Sequence, residues 1–169
     1  MKKGRFLCRF LLAFAAALAV WQWAGASHWY ARSLLDTARL LGPVLHGWVL
    51  EDDPSGQGLP TWVHGARRVQ ASLQFDALAV GLVPVLALLV ATSGLGIRHR
   101  LRLLGVGALL CFALDTLIVS LFPVLVFYKN PFTDVLGTFL GVVAFVGAPV
   151  IIWFTLTYQQ LQQSLHRLR

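Results

Sequence analysis

Hydrophobic and polar positions in this chain fall into long blocks. Phe6–Trp23 is broken only by Cys8, Arg9 and Gln22, and Ala77–Leu95 holds no charge. Leu103–Tyr128 holds only Asp115, and Val135–Tyr158 holds no charge. A helix that crosses the hydrocarbon of a bilayer needs about 20 residues, and each block is close to that length or longer. Helices suit such blocks because they satisfy their own backbone groups where water is absent. The pattern predicts an all-α polytopic membrane protein with four transmembrane helices.

Between the first two blocks the period changes twice. In "SHWYARSLLDTARLLGPVLHGW", Tyr30, Leu34, Leu35, Ala38 and Leu41 recur at helical spacing, with Arg32, Asp36 and Arg39 on another face. This predicts an amphipathic helix, capped by Ser27 where the chain breaks and ended by Pro43. In "VQASLQF" the period is two: Val69, Ala71, Leu73 and Phe75 alternate with Gln70, Ser72 and Gln74, as in a half-buried strand. "GWVL" and "LPTWV" are its expected partners, set off by Pro54-Ser-Gly-Gln-Gly and by the His64-Gly65 turn signal. Together they give a small extracytoplasmic β-hairpin or sheet, which needs a second surface to lean on. The chain thus divides into an anchor at 1–26, a helix and β module at 27–76, a three-helix membrane bundle at 77–158 and a cytoplasmic tail at 159–169.

Composition sharpens this picture. Of 169 residues, 57% are hydrophobic and 12% charged, and the mean hydropathy is +0.71; soluble domains carry roughly 25% charged residues. The net charge of +7 is unevenly placed. Lys2, Lys3, Arg5 and Arg9, then Arg98, Arg100 and Arg102, then Arg167 and Arg169 fall in three segments without acids. Asp36, Glu51, Asp52, Asp53, Asp76 and Asp134 all lie in the other two connections. The bias of Lys and Arg towards cytoplasmic loops puts both termini and the "GIRHRLR" loop inside, as four spans require. These clusters anchor topology beside the lipid bilayer, and nucleic acid is not the expected partner. The N-terminus also fits a cleaved signal peptide, with Ala24-Gly25-Ala26 as the small-residue site. Arg9 within the apolar run, and Trp21 and Trp23 at its outer end, favour a retained anchor.

Asp115 is the chemical oddity. It lies roughly 18 Å along the third block from Leu103, where a carboxylate costs at least about 2.5–3.5 kcal/mol. Cys111 shares its face, Thr116 and Ser120 complete a polar patch, and Thr138, Thr155 or Thr157 are the expected donors from the fourth block. Structural pairing or partner contact is the leading reading of Asp115, with ion or proton passage and catalysis as alternatives. Cys111 has no base within a block and reads as a packing residue. Gly105-x-Gly107, Gly137-x-x-x-Gly141 and Gly147 are small residues for close helix contact, and Gly137 and Gly141 match GxxxG. Pro84, Pro123 and Pro149 are expected to kink their spans. His28, His46 and His64, with the acidic loop, match no zinc spacing. No catalytic residue, cofactor or metal site is expected. Arg67, Arg68, Glu51, Asp52 and Asp53 read as a docking surface.

Two segments carry a resemblance. "FDALAVGLVPVLALLVATSGLGIRHRLRLLGVGALL" (75–110) and "VVAFVGAPVIIWF" (142–154), with Ala148-Pro149 before Trp153, resemble the exosortase H-associated membrane proteins. The resemblance implies a bacterial inner-membrane accessory of a system that processes secreted proteins carrying C-terminal sorting tails. Its partner would be an exosortase-type transpeptidase or that enzyme's substrate. The transpeptidase itself would need Cys, Arg and His at the outer ends of its helices. This chain lacks that set, so the resemblance implies a non-catalytic role and transfers no catalytic residue.

Overall fold

The computed structural model describes residues 3–51, 61–70, 81–92, 95–128, 130–142 and 147–166. In chain order its elements are α1 (Lys3–Trp23), α2 (Ala26–His46), β1 (Val49–Glu51), β2 (Thr61–His64), β3 (Arg67–Gln70), α3 (Leu82–Ala91), α4 (Ile97–Phe127), α5 (Pro131–Val142) and α6 (Ala148–His166). The molecule is mostly helical with one small antiparallel sheet. Among the described residues two helices, Phe6–Trp23 within α1 and Ile97–Phe127, are long and apolar enough to cross a membrane; Leu82–Ala91 and Ala148–Tyr158 are shorter apolar helices.

The expected first span and amphipathic helix form, with shifted ends. Gly25 separates α1 from α2 at φ 66°, a backbone state open to glycine at little cost. Ser27 therefore lies inside α2 and does not cap it. Pro43 also lies within α2, which continues to His46 and stops at Gly47, φ 75°. The ring removes one late helix bond but holds φ near the helical value, so it need not end the helix. Gly47 in the left-handed region does so.

The first two expected strand segments pair, and so do Val69 and Gln70 at the start of the third. The order is β1-β2-β3, with Leu50 opposite Trp62 and Trp62 opposite Val69. These three side chains are buried, so the sheet turns one apolar row inward. The β2–β3 turn is Gly65-Ala66 between paired His64 and Arg67. Positive φ at Gly65 (62°), and at no non-glycine residue described, fits a type II′ turn. Of the period-two run only Val69 and Gln70 fall in β3; positions 71–75 lie outside the described residues.

The second, third and fourth blocks depart further from expectation. The second yields α3, ten residues long, with 77–80 outside the described residues. The "GIRHRLR" segment is not a free loop, because from Ile97 onward it is the first turn and a half of α4. The fourth block is described as two helices, α5 and α6, with 143–146 outside the described residues. Pro84 and Pro149 stand in first helical turns, where the missing N–H has no intrahelical partner to lose. Of these three prolines, Pro123 alone lies beyond the first turn of its helix. Ahead of α5, Asn130 and Thr133 cap each other: Thr133 N–H donates to Asn130 Oδ1 (2.9 Å) and Asn130 N–H to Thr133 Oγ1 (2.8 Å). Pro131 opens the helix after this reciprocal box.

Two cores lie side by side along α4. In one, Trp21, Val83, Val85, Leu89, Leu103 and Cys111 pack with Phe14, Leu18, Trp153 and Leu156. Here α3 is central, buried on nearly every side between α1, α4 and α6. In the other, Ala38 of α2, Leu50, Trp62 and Val69 of the sheet and Val119 of α4 close together, with Phe122 and Phe127 against them. The sheet thus leans on α2 and on the C-terminal part of α4.

Candidate functional site

The α2–α4 seam contains Asp115. Along α2, Tyr30, Leu34, Ala38, Gly42 and His46 recur every four residues, which puts them on one ridge. Leu34, Ala38 and Gly42 are buried. Opposite them, α4 buries Cys111, Asp115, Thr116, Val119, Ser120 and Pro123. At the middle of the ridge Ala38 packs with Val119 of α4, Gly42 leaves room for the Trp48 carbonyl, and the long polar side chains at the ridge's ends reach across.

At one end Tyr30 Oη donates to Asp115 Oδ2 at 2.7 Å. Its ring is fixed edge-on by Trp21 (5.4 Å between centroids) and Phe112 (5.7 Å). At the other end Trp48 N–H donates to His46 Nδ1 (3.1 Å), so Nε2 carries the imidazole proton and donates to the Ser120 carbonyl. Tyr30 and His46 therefore clasp α4 from both ends of one helix. Asp115 is 4% exposed, Thr116 4% and Ser120 0%. The hydroxyls of Thr116 and Ser120 have no hydrogen-bond partner.

The polar patch at Asp115, Thr116 and Ser120 is thus present, but its donor differs from expectation. Thr138 donates to the Asp134 carbonyl and Thr157 to the Trp153 carbonyl. Threonine hydroxyls readily turn back onto the preceding helical turn, and the phenol of Tyr30 takes the role expected of them. Cys111 is buried in the apolar core beside α3.

Among the span glycines singled out by the sequence, Gly107 makes the close approach. A Cβ there would meet Leu89 Cδ1 and Val85 Cγ1 at 3.1 Å. Gly105 and Gly137 have nothing within 4 Å of that position, so Gly137 marks no helix contact within the described chain. Gly141 lies near the end of α5, where side-chain surroundings are outside the description. Of the expected docking residues, Arg67 sets its guanidinium over the Phe127 ring at 4.5 Å. Arg68 and Glu51 are exposed on β3 and β1, and Asp52 and Asp53 lie outside the described residues. Among the described residues no three His, Cys, Asp or Glu side chains gather as a metal site would need.

A second polar contact joins the other ends of α3, α4 and α6. Trp153 Nε1 donates to Thr92 Oγ1 (2.9 Å) and Arg100 to the Thr92 carbonyl (3.0 Å). Sequence reasoning missed Tyr30 and His46 as members of the Asp115 site. The signal was their place at the two ends of the four-residue ridge Tyr30–His46. Comparison with family models, curated proteins and solved structures gives no match to this chain.

Proposed function

We propose that this chain is a non-catalytic, multi-pass inner-membrane protein with both termini in the cytoplasm. In this reading it acts as an accessory of a membrane transpeptidase that sorts C-terminally tagged secreted proteins. The observation that carries the reading is the seat of the β module on α4. Trp62 lies tilted against Phe122 and Trp48 against Phe127, with centroids 5.3 and 5.4 Å apart. These rings lie roughly 33–40 Å along the helix from Arg100 at 1.5 Å per residue, more than the ~30 Å hydrocarbon thickness. With the arginines at the cytoplasmic surface, the sheet stands outside, where sorting tails and the transpeptidase's reactive groups would be met. The polar groups at the helix ends are engaged in holding the fold, which favours a partner role over chemistry. The resemblance of 75–110 and 142–154 supplies the class of partner.

The test is co-expression of the tagged full chain with an exosortase-type enzyme and a tailed substrate, followed by purification in mild detergent. Joint recovery of either partner, and loss of tail processing on deletion of this gene, are the expected results. Unaltered processing without the gene would overturn the proposal. The unpartnered hydroxyls beside Asp115 favour one second reading, a small transport component. Loss of function in Asp115→Asn with assembly intact would select it.

A further inference from the structure

The outward surface of α2 is divided along its length into two flanks, one on each side of the buried ridge. At 3.6 residues per turn, Trp29, Ser33, Thr37, Leu40 and Val44 fall within roughly 80° of one another, and His28, Arg32, Asp36 and Arg39 within another roughly 80°. Trp29, Leu40 and Val44 are 70%, 76% and 83% exposed, so the described chain leaves the apolar flank uncovered. Its hydroxyls turn back on their own helix. Ser33 Oγ donates to the Trp29 carbonyl (2.9 Å) and Thr37 Oγ1 to the Ser33 carbonyl (2.8 Å), which satisfies them without water. On the other flank Arg39 pairs with exposed Asp36 at 3.5 Å.

Packing decides which flank faces the bilayer. Leu35, on the charged side of the ridge, packs against the core of the sheet. Ala26 and Tyr30, on the apolar side, pack against the core built by α1, α3, α4 and α6. Depth agrees with this. From Tyr30 to His46 α2 advances roughly 24 Å, while the groups they meet, Asp115 and the Ser120 carbonyl, are roughly 8 Å apart in rise along α4. Hence α2 lies across α4 rather than alongside it. With Arg100 at the inner surface, Asp115 and Ser120 stand roughly 22–30 Å along α4, in the outermost part of a hydrocarbon layer about 30 Å thick. Trp23 and Trp29, exposed on either side of Gly25, are of the type that gathers at such a boundary. The flank offers no hydroxyl proton to a protein partner, and acyl chains ask for none.

We propose that α2 is an in-plane helix of the outer leaflet, with Trp29, Leu40 and Val44 among lipid acyl chains and Arg32, Asp36 and Arg39 towards headgroups and water. The sheet, seated on α2 and on the end of α4, is thereby held at the membrane surface. The inference rests on the membrane orientation proposed above and on neither role proposed for the protein.

The test places a nitroxide label at single cysteines in a Cys8→Ser background, with the full chain in phosphatidylethanolamine–phosphatidylglycerol vesicles. Collisions of each label with oxygen, which concentrates in lipid, are compared with those of a water-soluble nickel chelate. Labels from Leu40→Cys and Val44→Cys are expected to favour oxygen and to report depths of about 5–10 Å. Those from Arg32→Cys and Asp36→Cys are expected to favour nickel. Leu109→Cys, exposed on the middle of α4, marks the hydrocarbon centre. A Leu109→Cys label open to nickel would overturn the membrane placement itself, and this inference with it. A deep label there, with positions 40 and 44 open to nickel, would overturn this inference alone. So would labels at 40 and 44 shielded from both reagents, because a second copy or another protein would then cover the flank.

Discussion

Tyr30 and Asp115 are 85 positions apart in sequence, and each supplies what the other's burial demands. A phenol is a donor that brings its own apolar ring, so Trp21 and Phe112 can hold it while its tip stays polar. Tyr30→Phe removes the bond and leaves the buried carboxyl short of a donor, at a cost of about 1–3 kcal/mol. Thermal unfolding in detergent should show the lowered midpoint. In the Tyr30→Phe/Asp115→Asn double variant the two losses should fall short of their sum, because the groups share one contact. Strict additivity would dissolve the pairing. Asp115 was conspicuous in the sequence as a lone acid among apolar neighbours. Its partner was not, because Tyr30 sits in a segment whose own pattern explains it as part of an amphipathic face.

At the scale of elements, small residues decide which helices touch. Gly107 admits Val85 and Leu89 of α3, whereas Gly105 faces open space two positions earlier. Gly107→Leu should therefore lower the unfolding midpoint by the equivalent of about 1–3 kcal/mol through overpacking. Gly105→Leu should leave the midpoint unchanged or raise it, since leucine is the better helix former. Equal effects at both positions would refute the assigned α3–α4 contact. Gly137 belonged to the stronger motif and Gly107 makes the closer contact, because a motif records spacing while contact depends on which way a helix is rotated. The strands at Val49–Glu51 and Thr61–His64 and the turn at Gly65 were legible from turn residues, whereas most of the alternating run 69–75 lies outside the described residues. Helix ends were less so: Gly25 and Gly47 at positive φ set the limits of α2, and Ser27 and Pro43 did not.

At the scale of the whole molecule, the two cores share α4, with the basic cluster near its start and the β module near its end. α1 belongs to the first core, through Trp21, Phe14 and Leu18, so its removal as a signal peptide would strip a face of α3. Cys8 is exposed and Cys111 buried, which makes a cysteine probe of topology simple. In a Cys8→Ser background, Gly56→Cys should react in intact cells with a maleimide that cannot cross membranes. Arg169→Cys should react only after lysis. The reverse pattern would overturn the arrangement proposed above.

Sequence alone determined the quantities that depend on local composition. These are apolar blocks long enough to span, basic residues gathered at their ends, a period of four in α2 and turn residues between short strands. Such features act through neighbours a few positions away, so order along the chain records them. Tertiary structure alone decided which polar group answers Asp115, which glycine lets helices close and which surface carries the sheet. Those outcomes depend on helix rotation and on contacts between residues far apart in the chain. Burial then imposes on them a demand for hydrogen-bond partners that no single segment can meet.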